Sequence, residues 1–218
     1  MKSRLANTSC VCRVHKGGMM IVLAFFLFFS GAVYGTTEKQ VTSLVYPRIS
    51  RTLSDVPIWT GEADISGAGY GVCVATAGDV NGDGYADVIV GAHEYDDGHL
   101  SGGRVFVYHG NANGVSDTPS WSLASDTSGA MFGLSVGTAG DTNGDGFSEI
   151  IIGAPQYGGG RIIVVPGSSS GLSTDPSDYW IADCTQAGAW AGMSVGTAGD
   201  VNNDGYSDII FGAPFFNN

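Results

Sequence analysis

The chain has 218 residues, 35 of them glycine, and a formal net charge of -12. Four of its 9 basic residues lie within residues 1–35, which contain no acid, so the remainder carries 5 basic and 21 acidic side chains, a net charge of -16. Such a surface repels nucleic acid and anionic membranes and attracts cations, so no nucleic-acid partner is expected. A hydrophobic content of 43% is ordinary for a globular protein and argues against low-complexity disorder.

Residues 1–35 have the pattern of a signal peptide. A basic region precedes an apolar run at residues 19–29, and small residues follow that run. The run is shorter than the roughly 20 residues that span a bilayer, so no membrane insertion is expected after cleavage, although an uncleaved anchor is the alternative. The prediction is a secreted or cell-surface protein, in an extracellular or periplasmic location.

Residues 36–54 are polar and without a clear period, and they are predicted to form a linker or an N-terminal arm. Residues 55–218 repeat one unit, in which an oxygen-rich loop runs into a short apolar segment. The repeats begin at Asp79, Asp141 and Asp200, at spacings of 62 and 59 residues. A tryptophan stands 20 residues before each aspartate and a glycine 12 after it, at Trp59, Trp121, Trp180, Gly91, Gly153 and Gly212. Fixed offsets at this period predict a propeller or a solenoid.

Each repeat is predicted to form four strands. A small, glycine-rich strand comes first, and a continuously apolar segment such as residues 149–152 follows, which is typical of a strand buried on both faces. No helical spacing appears after residue 35, so the fold class is all-β, a β-propeller of four-stranded blades. It is incomplete, with about two and a half blades (70–123, 132–181 and 191–218) and one preceding outer strand around Trp59. Further blades are expected C-terminal to this chain.

The repeated loop has the pattern D-x-N-x-D-G-x-x-[DE], which is typical of a calcium site. Ca²⁺ takes six to eight oxygen ligands, and alternate side chains at positions 1, 3 and 5 converge when the chain curls tightly. Position 7 offers its backbone carbonyl and position 9 a further carboxylate. The predicted ligands are Asp79, Asn81, Asp83, Tyr85 and Asp87, then Asp141, Asn143, Asp145, Phe147 and Glu149, then Asp200, Asn202, Asp204, Tyr206 and Asp208.

The loop pattern has two other interpretations. Asp, Asn and Gly also form plain turns between strands, but three copies that each crowd three carboxylates into nine residues favour a bound cation. An EF-hand or dockerin begins in the same way but needs an acidic ligand at position 12 and a following helix. Position 12 here is Val90, Ile152 or Phe211, inside an apolar run, so this alternative is disfavoured.

With these motifs the sequence resembles the FG-GAP repeats of integrin α-subunit propellers and related secreted bacterial proteins. The residues that carry the resemblance are Phe132-Gly133, the loops, and the Gly-Ala-Pro triplets that begin at Gly153 and Gly212. The first copy departs, with Tyr70-Gly71 and with His93 in place of the proline. The resemblance implies a seven-bladed ring with calcium loops between the first and second strands. It also implies that ligands meet the opposite face, here residues 63–69, 93–103, 125–131, 155–160 and 184–189.

No catalytic constellation is visible, since no nucleophile elbow or metalloprotease helix occurs and the paired carboxylates lie chiefly in the loops. The protein is therefore not expected to be an enzyme. The sequence predicts an exported calcium-binding propeller module in which calcium is structural and which binds an extracellular protein or glycan in adhesion. The alternatives are the non-catalytic propeller of a larger secreted, phospholipase-D-like enzyme, or a structural surface protein.

Overall fold

The computed structural model describes residues 59–217, so the predicted signal peptide and linker lie outside the described residues. The elements in this part of the chain are almost all strands, as the sequence predicts. The strands are β1 (Tyr70–Gly78), β2 (Asp87–Ala92), β3 (Arg104–Tyr108), β4 (Gly110–Asn111), β5 (Gly114–Val115), β6 (Trp121–Ala124), β7 (Ser135–Gly140), β8 (Glu149–Ala154), β9 (Arg161–Val165), β10 (Trp180–Asp183), β11 (Ser194–Gly199) and β12 (Asp208–Gly212). One 3₁₀ turn, Pro176–Asp178, precedes β10.

Two four-stranded antiparallel sheets and half of a third make up the fold. The first sheet has the order β1-β2-β3-β6, the second β7-β8-β9-β10, and the third holds β11 and β12. Their inner strands β1, β7 and β11 lie side by side. This arrangement confirms a partial β-propeller of the predicted kind, with two blades and the inner half of another.

The hydrophobic core lies between the blades. In β8, Ile150 and Ile152 pack with Val105 and Val107 of the first blade. The intervening Ile151 packs with the third sheet. All six residues of β8 are buried, because strand side chains alternate between two faces and a neighbouring blade covers each. This explains the continuously apolar second segment of the repeat.

Glycines allow adjacent blades to approach at the level of the backbone. Within the second blade the amide of Gly133 donates to the Gly153 carbonyl at 3.0 Å, and within the third the amide of Gly192 donates to the Gly212 carbonyl at 2.9 Å. A Cβ at Gly153 would overlap the Gly192 carbonyl oxygen, and a Cβ at Gly91 would overlap that of Gly133. Gly91 and Gly153, each 12 residues after its loop aspartate, are thus contacts between blades.

The tryptophans occupy equivalent positions in successive repeats. The Trp121 indole donates to the Ser173 carbonyl of the second blade at 3.1 Å, and the Trp59 indole donates to the Ser116 carbonyl of the first at 3.0 Å. The described residues from Trp59 to Ala63 form no strand, however. The reason is that no described strand pairs with them, so the predicted outer strand is represented here only by its tryptophan.

Between β3 and β6 the structure adds a short hairpin, β4-β5, whose strands have two residues each and which the sequence did not predict. Within residues 59–217 no helix is long and apolar enough to cross a membrane.

Candidate metal centres

Each oxygen-rich loop joins the first two strands of a sheet, β1 to β2, β7 to β8 or β11 to β12. We call residues 79–87, 141–149 and 200–208 loops 1, 2 and 3. The turn requires left-handed backbone, which Gly84, Gly146 and Gly205 supply at φ values of +85°, +89° and +92°. Loops 1 to 3 therefore lie at one end of their sheets, along one face of the partial propeller.

Side chains at positions 1, 3 and 5 hold the loop in its curl. In loop 1 the Asp79 carboxylate accepts from the amides of Gly82 at 2.7 Å and Gly84 at 2.8 Å. The Asn81 amide oxygen accepts from the Asp83 amide at 3.0 Å, and the Asp83 carboxylate accepts from the Tyr85 amide at 2.9 Å. Equivalent bonds occur in loops 2 and 3. The side-chain oxygens are thus gathered on the inside of the turn.

The position 9 carboxylate lies beneath the loop and is buried. Asp87 is 1% exposed, and its two oxygens accept from the amides of Val80 at 2.9 Å and Gly110 at 2.8 Å. In loop 2 the longer Glu149 accepts from the Thr142 amide at 2.6 Å and its hydroxyl at 2.8 Å. Asp208 accepts from the Val201 amide at 2.9 Å. Each carboxylate therefore ties position 2 of its loop to the start of the second strand.

Burial of these carboxylates disfavours their charge. Desolvation raises the pKa of Asp87 above its usual value, and Asp83 adds to the rise, while the amides of Val80 and Gly110 oppose it. The pKa of Glu149 is raised for the same reasons, with Asp145 as the neighbouring charge. A cation in the loop would favour the ionised form of both groups.

Lysine and arginine side chains do not supply that compensation in loop 1 or loop 2. Residues 59–217 contain two arginines and no lysine. Arg161 pairs with Asp183, and Arg104 donates to the Tyr95 hydroxyl while its guanidinium stacks on the Tyr95 ring. Both arginines are thus engaged away from the loops. An oxygen-only donor set whose carboxylates in loops 1 and 2 pair with no lysine or arginine fits a hard divalent cation such as Ca²⁺.

The ligand geometry of a closed metal site is not formed in the described residues, since no three His, Cys, Asp or Glu side chains there form a group that could hold a metal. The structure brings positions 1, 3 and 5 of each loop together through amide hydrogen bonds. In loop 1 the Asp87 carboxylate turns to the backbone instead of joining them, whereas in loop 2 Glu149 Oε1 also accepts from the Asn143 side-chain amide at 3.4 Å. To bind a cation, the side-chain oxygens would have to give up some or all of their hydrogen bonds to the backbone amides.

Comparison with known proteins bears on this arrangement. The FG-GAP repeat model matches residues 74–108, 132–165 and 191–218, and each match contains one loop and the strands that flank it. The chain is an FG-GAP repeat protein. Each FG-GAP match begins in or just before the inner strand of a blade and includes its second strand.

Integrin α subunits are similar to this FG-GAP repeat protein over most of its length. Integrin alpha-6 of Gallus gallus is 34% identical over 192 residues, covering 85% of this chain and 17% of the relative. Integrin alpha-7 of Rattus norvegicus is 33% identical over 187 residues, with coverage of 85% and 16%. Integrin alpha-PS5 of Drosophila melanogaster is 33% identical over 156 residues, with coverage of 67% and 15%. The chain thus spans less than a fifth of the length of these relatives.

Sequence reasoning missed two sets of residues at this site. The backbone amides of Val80 and Gly110, which bind Asp87, carry no side-chain signal, although a glycine two residues after β3 recurs at Gly167. The second set comprises the position 8 serines, Ser148 and Ser207, whose amides donate to the preceding loop. Their recurrence at the same loop position was the available signal.

Proposed function

We propose that this chain is an exported adhesion module whose three loops bind Ca²⁺ and whose opposite face binds an extracellular protein or glycan. Calcium serves structure in this account, and the module acts by binding and not by catalysis. The observation that carries the metal assignment is the buried carboxylate at position 9, repeated as Asp87, Glu149 and Asp208 beneath three similar oxygen-rich turns. Similarity to integrin α subunits supports the adhesive role.

In the proposed sites, positions 1, 3 and 5 give side-chain oxygens, position 7 gives a carbonyl, and position 9 gives its carboxylate. The resident ion would neutralise the crowded carboxylates of each loop. Asp87 and Glu149 would remain ionised despite burial, and the left-handed glycine after position 5 keeps the loop curled. Extracellular modules of this kind bind calcium with Kd of about 10⁻⁴ to 10⁻³ M.

The face opposite loops 1 to 3 supports the binding role because its segments join into one surface. The Glu94 amide donates to the Ala68 carbonyl at 3.0 Å, and the Gly129 amide donates to the Leu100 carbonyl at 2.8 Å. Between the second and third sheets, the Phe215 amide donates to the Ala189 carbonyl at 3.2 Å. Leu100 is 71% exposed on this face. Loop segments fastened to one another by backbone hydrogen bonds suit recognition of a partner, because binding residues lie disproportionately on loops that a rigid scaffold positions.

Calorimetric titration with calcium tests the metal assignment. We expect three sites, and we expect the combined variant Asp83→Ala, Asp145→Ala and Asp204→Ala to lose the binding heat, because position 5 supplies one ligand in every loop. A matched variant, Asp96→Ala, Asp97→Ala and Asp117→Ala, removes the same charge elsewhere and should retain all three sites. Equal loss of binding in both triple variants would show that net charge, and not the loops, attracts the ion.

An array of extracellular-matrix proteins and glycans, probed in calcium with the full chain, tests the binding role. Binding to a member of the array should fall when Leu100→Asp places a charge on the opposite face. Val201→Asp is the matched control, since Val201 is 48% exposed but lies in loop 3. Binding abolished by the Val201 change and untouched by the Leu100 change would place recognition on the loop face instead.

A further inference from the structure

Neighbouring loops are joined by the same hydrogen bond at both blade junctions. The Ser148 amide of loop 2 donates to the Asp79 carbonyl of loop 1 at 2.9 Å. The Ser207 amide of loop 3 donates to the Asp141 carbonyl of loop 2 at 2.8 Å. Position 8 of each loop is therefore fastened to position 1 of the loop before it.

A second contact, between a ring and a glycine, accompanies this bond. A Cβ at Gly82 would lie 2.5 Å from Cε1 of Phe147, and a Cβ at Gly144 would lie 2.7 Å from Cε1 of Tyr206. The position 7 ring of one loop thus packs on the position 4 glycine of the preceding loop. By contrast, a Cβ at Gly84 would meet nothing within 4 Å.

Position 4 of loop 3 holds a different residue. Asn203 stands there with a φ of +58°, and it is exposed. Asparagine tolerates left-handed backbone, so the conformation alone does not demand glycine. Gly82 and Gly144 have the same handedness but also carry a ring from the next loop. At Gly82 and Gly144 the ring contact is therefore a constraint additional to the left-handed backbone.

These contacts act on one peptide group that belongs to two loops. The N–H of Ser148 and the C=O of Phe147 are the two ends of a single planar peptide unit. Its N–H binds the Asp79 carbonyl of loop 1, and its C=O is the proposed position 7 ligand of loop 2. Fixing one end of the plane therefore restricts the direction of the other.

We propose that cation binding is energetically coupled between neighbouring loops, with Phe147-Ser148 and Tyr206-Ser207 as the positioning residues. A cation in loop 1 orders Asp79, whose carbonyl then holds the shared peptide in the orientation that loop 2 requires. A cation in loop 2 polarises that peptide through its carbonyl and strengthens its N–H as a donor. Coupling of this kind is reciprocal. The inference rests on the proposed calcium function and deepens it.

Calcium titration of the full chain labelled with ¹⁵N-glycine reads each loop separately by NMR. The amides of Gly84, Gly146 and Gly205 each donate to the position 1 carboxylate of their own loop, at 2.8, 3.0 and 2.9 Å. Asp83→Ala disables loop 1 without changing a residue that contacts loop 2. We expect the calcium concentration at the midpoint of the Gly146 amide titration (the Gly146 midpoint) to rise about fivefold, which is the lower end of typical coupling between sites. Gly205, two loops away, should shift less than Gly146.

Two matched pairs separate coupling from general damage. Gly82→Asn places a side chain against the Phe147 ring and should raise the Gly146 midpoint about fivefold. Gly129→Asn, on the opposite face with the same φ of +72°, meets no neighbour within 4 Å and should not. Phe147→Leu should weaken calcium binding by loop 2. Phe215→Leu makes the same change at a ring that lies away from the loops and is 55% exposed, and it should leave the Gly146 midpoint in place.

The outcomes distinguish the two proposals. If calcium shifts none of the three glycine amides, the calcium function itself fails. If all three titrate but the Gly146 midpoint is the same in the wild type, Asp83→Ala and Gly82→Asn, the loops bind independently and the coupling is refuted. Should Gly82→Asn fail to fold, Asp83→Ala still decides. Asp96→Ala removes an equal charge on the opposite face and should leave every midpoint unchanged, because salt at 0.15 M screens charges beyond about 8 Å.

Discussion

At the scale of single residues, the aspartates at positions 9 and 5 of loop 1 contribute to stability in different ways. Asp87 satisfies two amides, those of Val80 and Gly110, in a site that water does not reach. Asp83, four residues earlier in the same loop, is exposed and bonds only within its turn. Asp87 is therefore structural whether or not a cation is bound, whereas Asp83 contributes to stability chiefly through the cation.

Replacing these two aspartates should expose the difference. In chelator, Asp87→Ala is expected to lower the free energy of unfolding by about 2 kcal/mol, because it leaves two buried amides unpaired. Asp83→Ala should cost less than about 0.5 kcal/mol in chelator, as exposed substitutions do. Urea denaturation with and without calcium measures both. Similar losses for the two variants in chelator would contradict the structural role of Asp87.

The candidate ligands could be predicted from the sequence because their spacing is local and recurs three times. The partners of Asp87 could not, since one is a main-chain group 23 residues further along and carries no side-chain signature. The burial of the Asp87 carboxylate beneath the loop could not be predicted from the sequence either, because it depends on how the following strands pack. All fifteen ligand assignments stay predictions until a metal is measured.

At the scale of the strand, two glycines of the repeat have different reasons to be small. A Cβ on Gly153 of β8 would overlap the Gly192 carbonyl of the next blade, which is backbone and cannot rotate away. A Cβ on Gly137 of β7 would meet only a methyl of Ile151, at 4.0 Å, and the first repeat has Ala75 at the equivalent place. Blade spacing thus depends on the former and not on the latter.

Alanine substitution distinguishes these two glycines. Gly153→Ala should lower the free energy of unfolding by about 3 kcal/mol, at the upper end of the cost of overpacking, because the blades must separate. Gly137→Ala should be neutral or stabilise by up to about 1 kcal/mol, since it restricts the unfolded chain without a clash. Thermal unfolding of the two variants in parallel measures this difference. A tolerated Gly153→Ala would mean that the blades are not held at backbone contact.

The strands of each blade were predictable because burial on both faces leaves an unbroken apolar segment such as residues 149–152. The β4-β5 hairpin was not, because strands of two residues carry no period. The segment at Trp59 shows the opposite case, in which a recurring residue marked an equivalent position but no strand within residues 59–217 pairs with it. Repetition identifies position in the unit, while pairing decides whether a strand forms.

At the scale of the whole molecule, the loops form a connected row along one face, and the surface proposed to recognise a partner lies on the opposite face. Residues 59–217 hold two arginines against many carboxylates, so unfolding would relieve repulsion unless cations bind. At about ten times Kd, each bound ion adds roughly 1.4 kcal/mol. Three ions would add about 4 kcal/mol, a large share of the 5–15 kcal/mol typical of native proteins.

Thermal unfolding of the full chain in 10 mM calcium and in chelator tests this central claim most directly. A loss of about 4 kcal/mol corresponds to a fall in Tm of about 8–16 °C for a protein of this size, and that is the result we predict. The variant Asp83→Ala, Asp145→Ala, Asp204→Ala serves as the control, and its Tm should not respond to chelation. A wild-type Tm that is the same in calcium and in chelator would contradict calcium as the element that stabilises the blades.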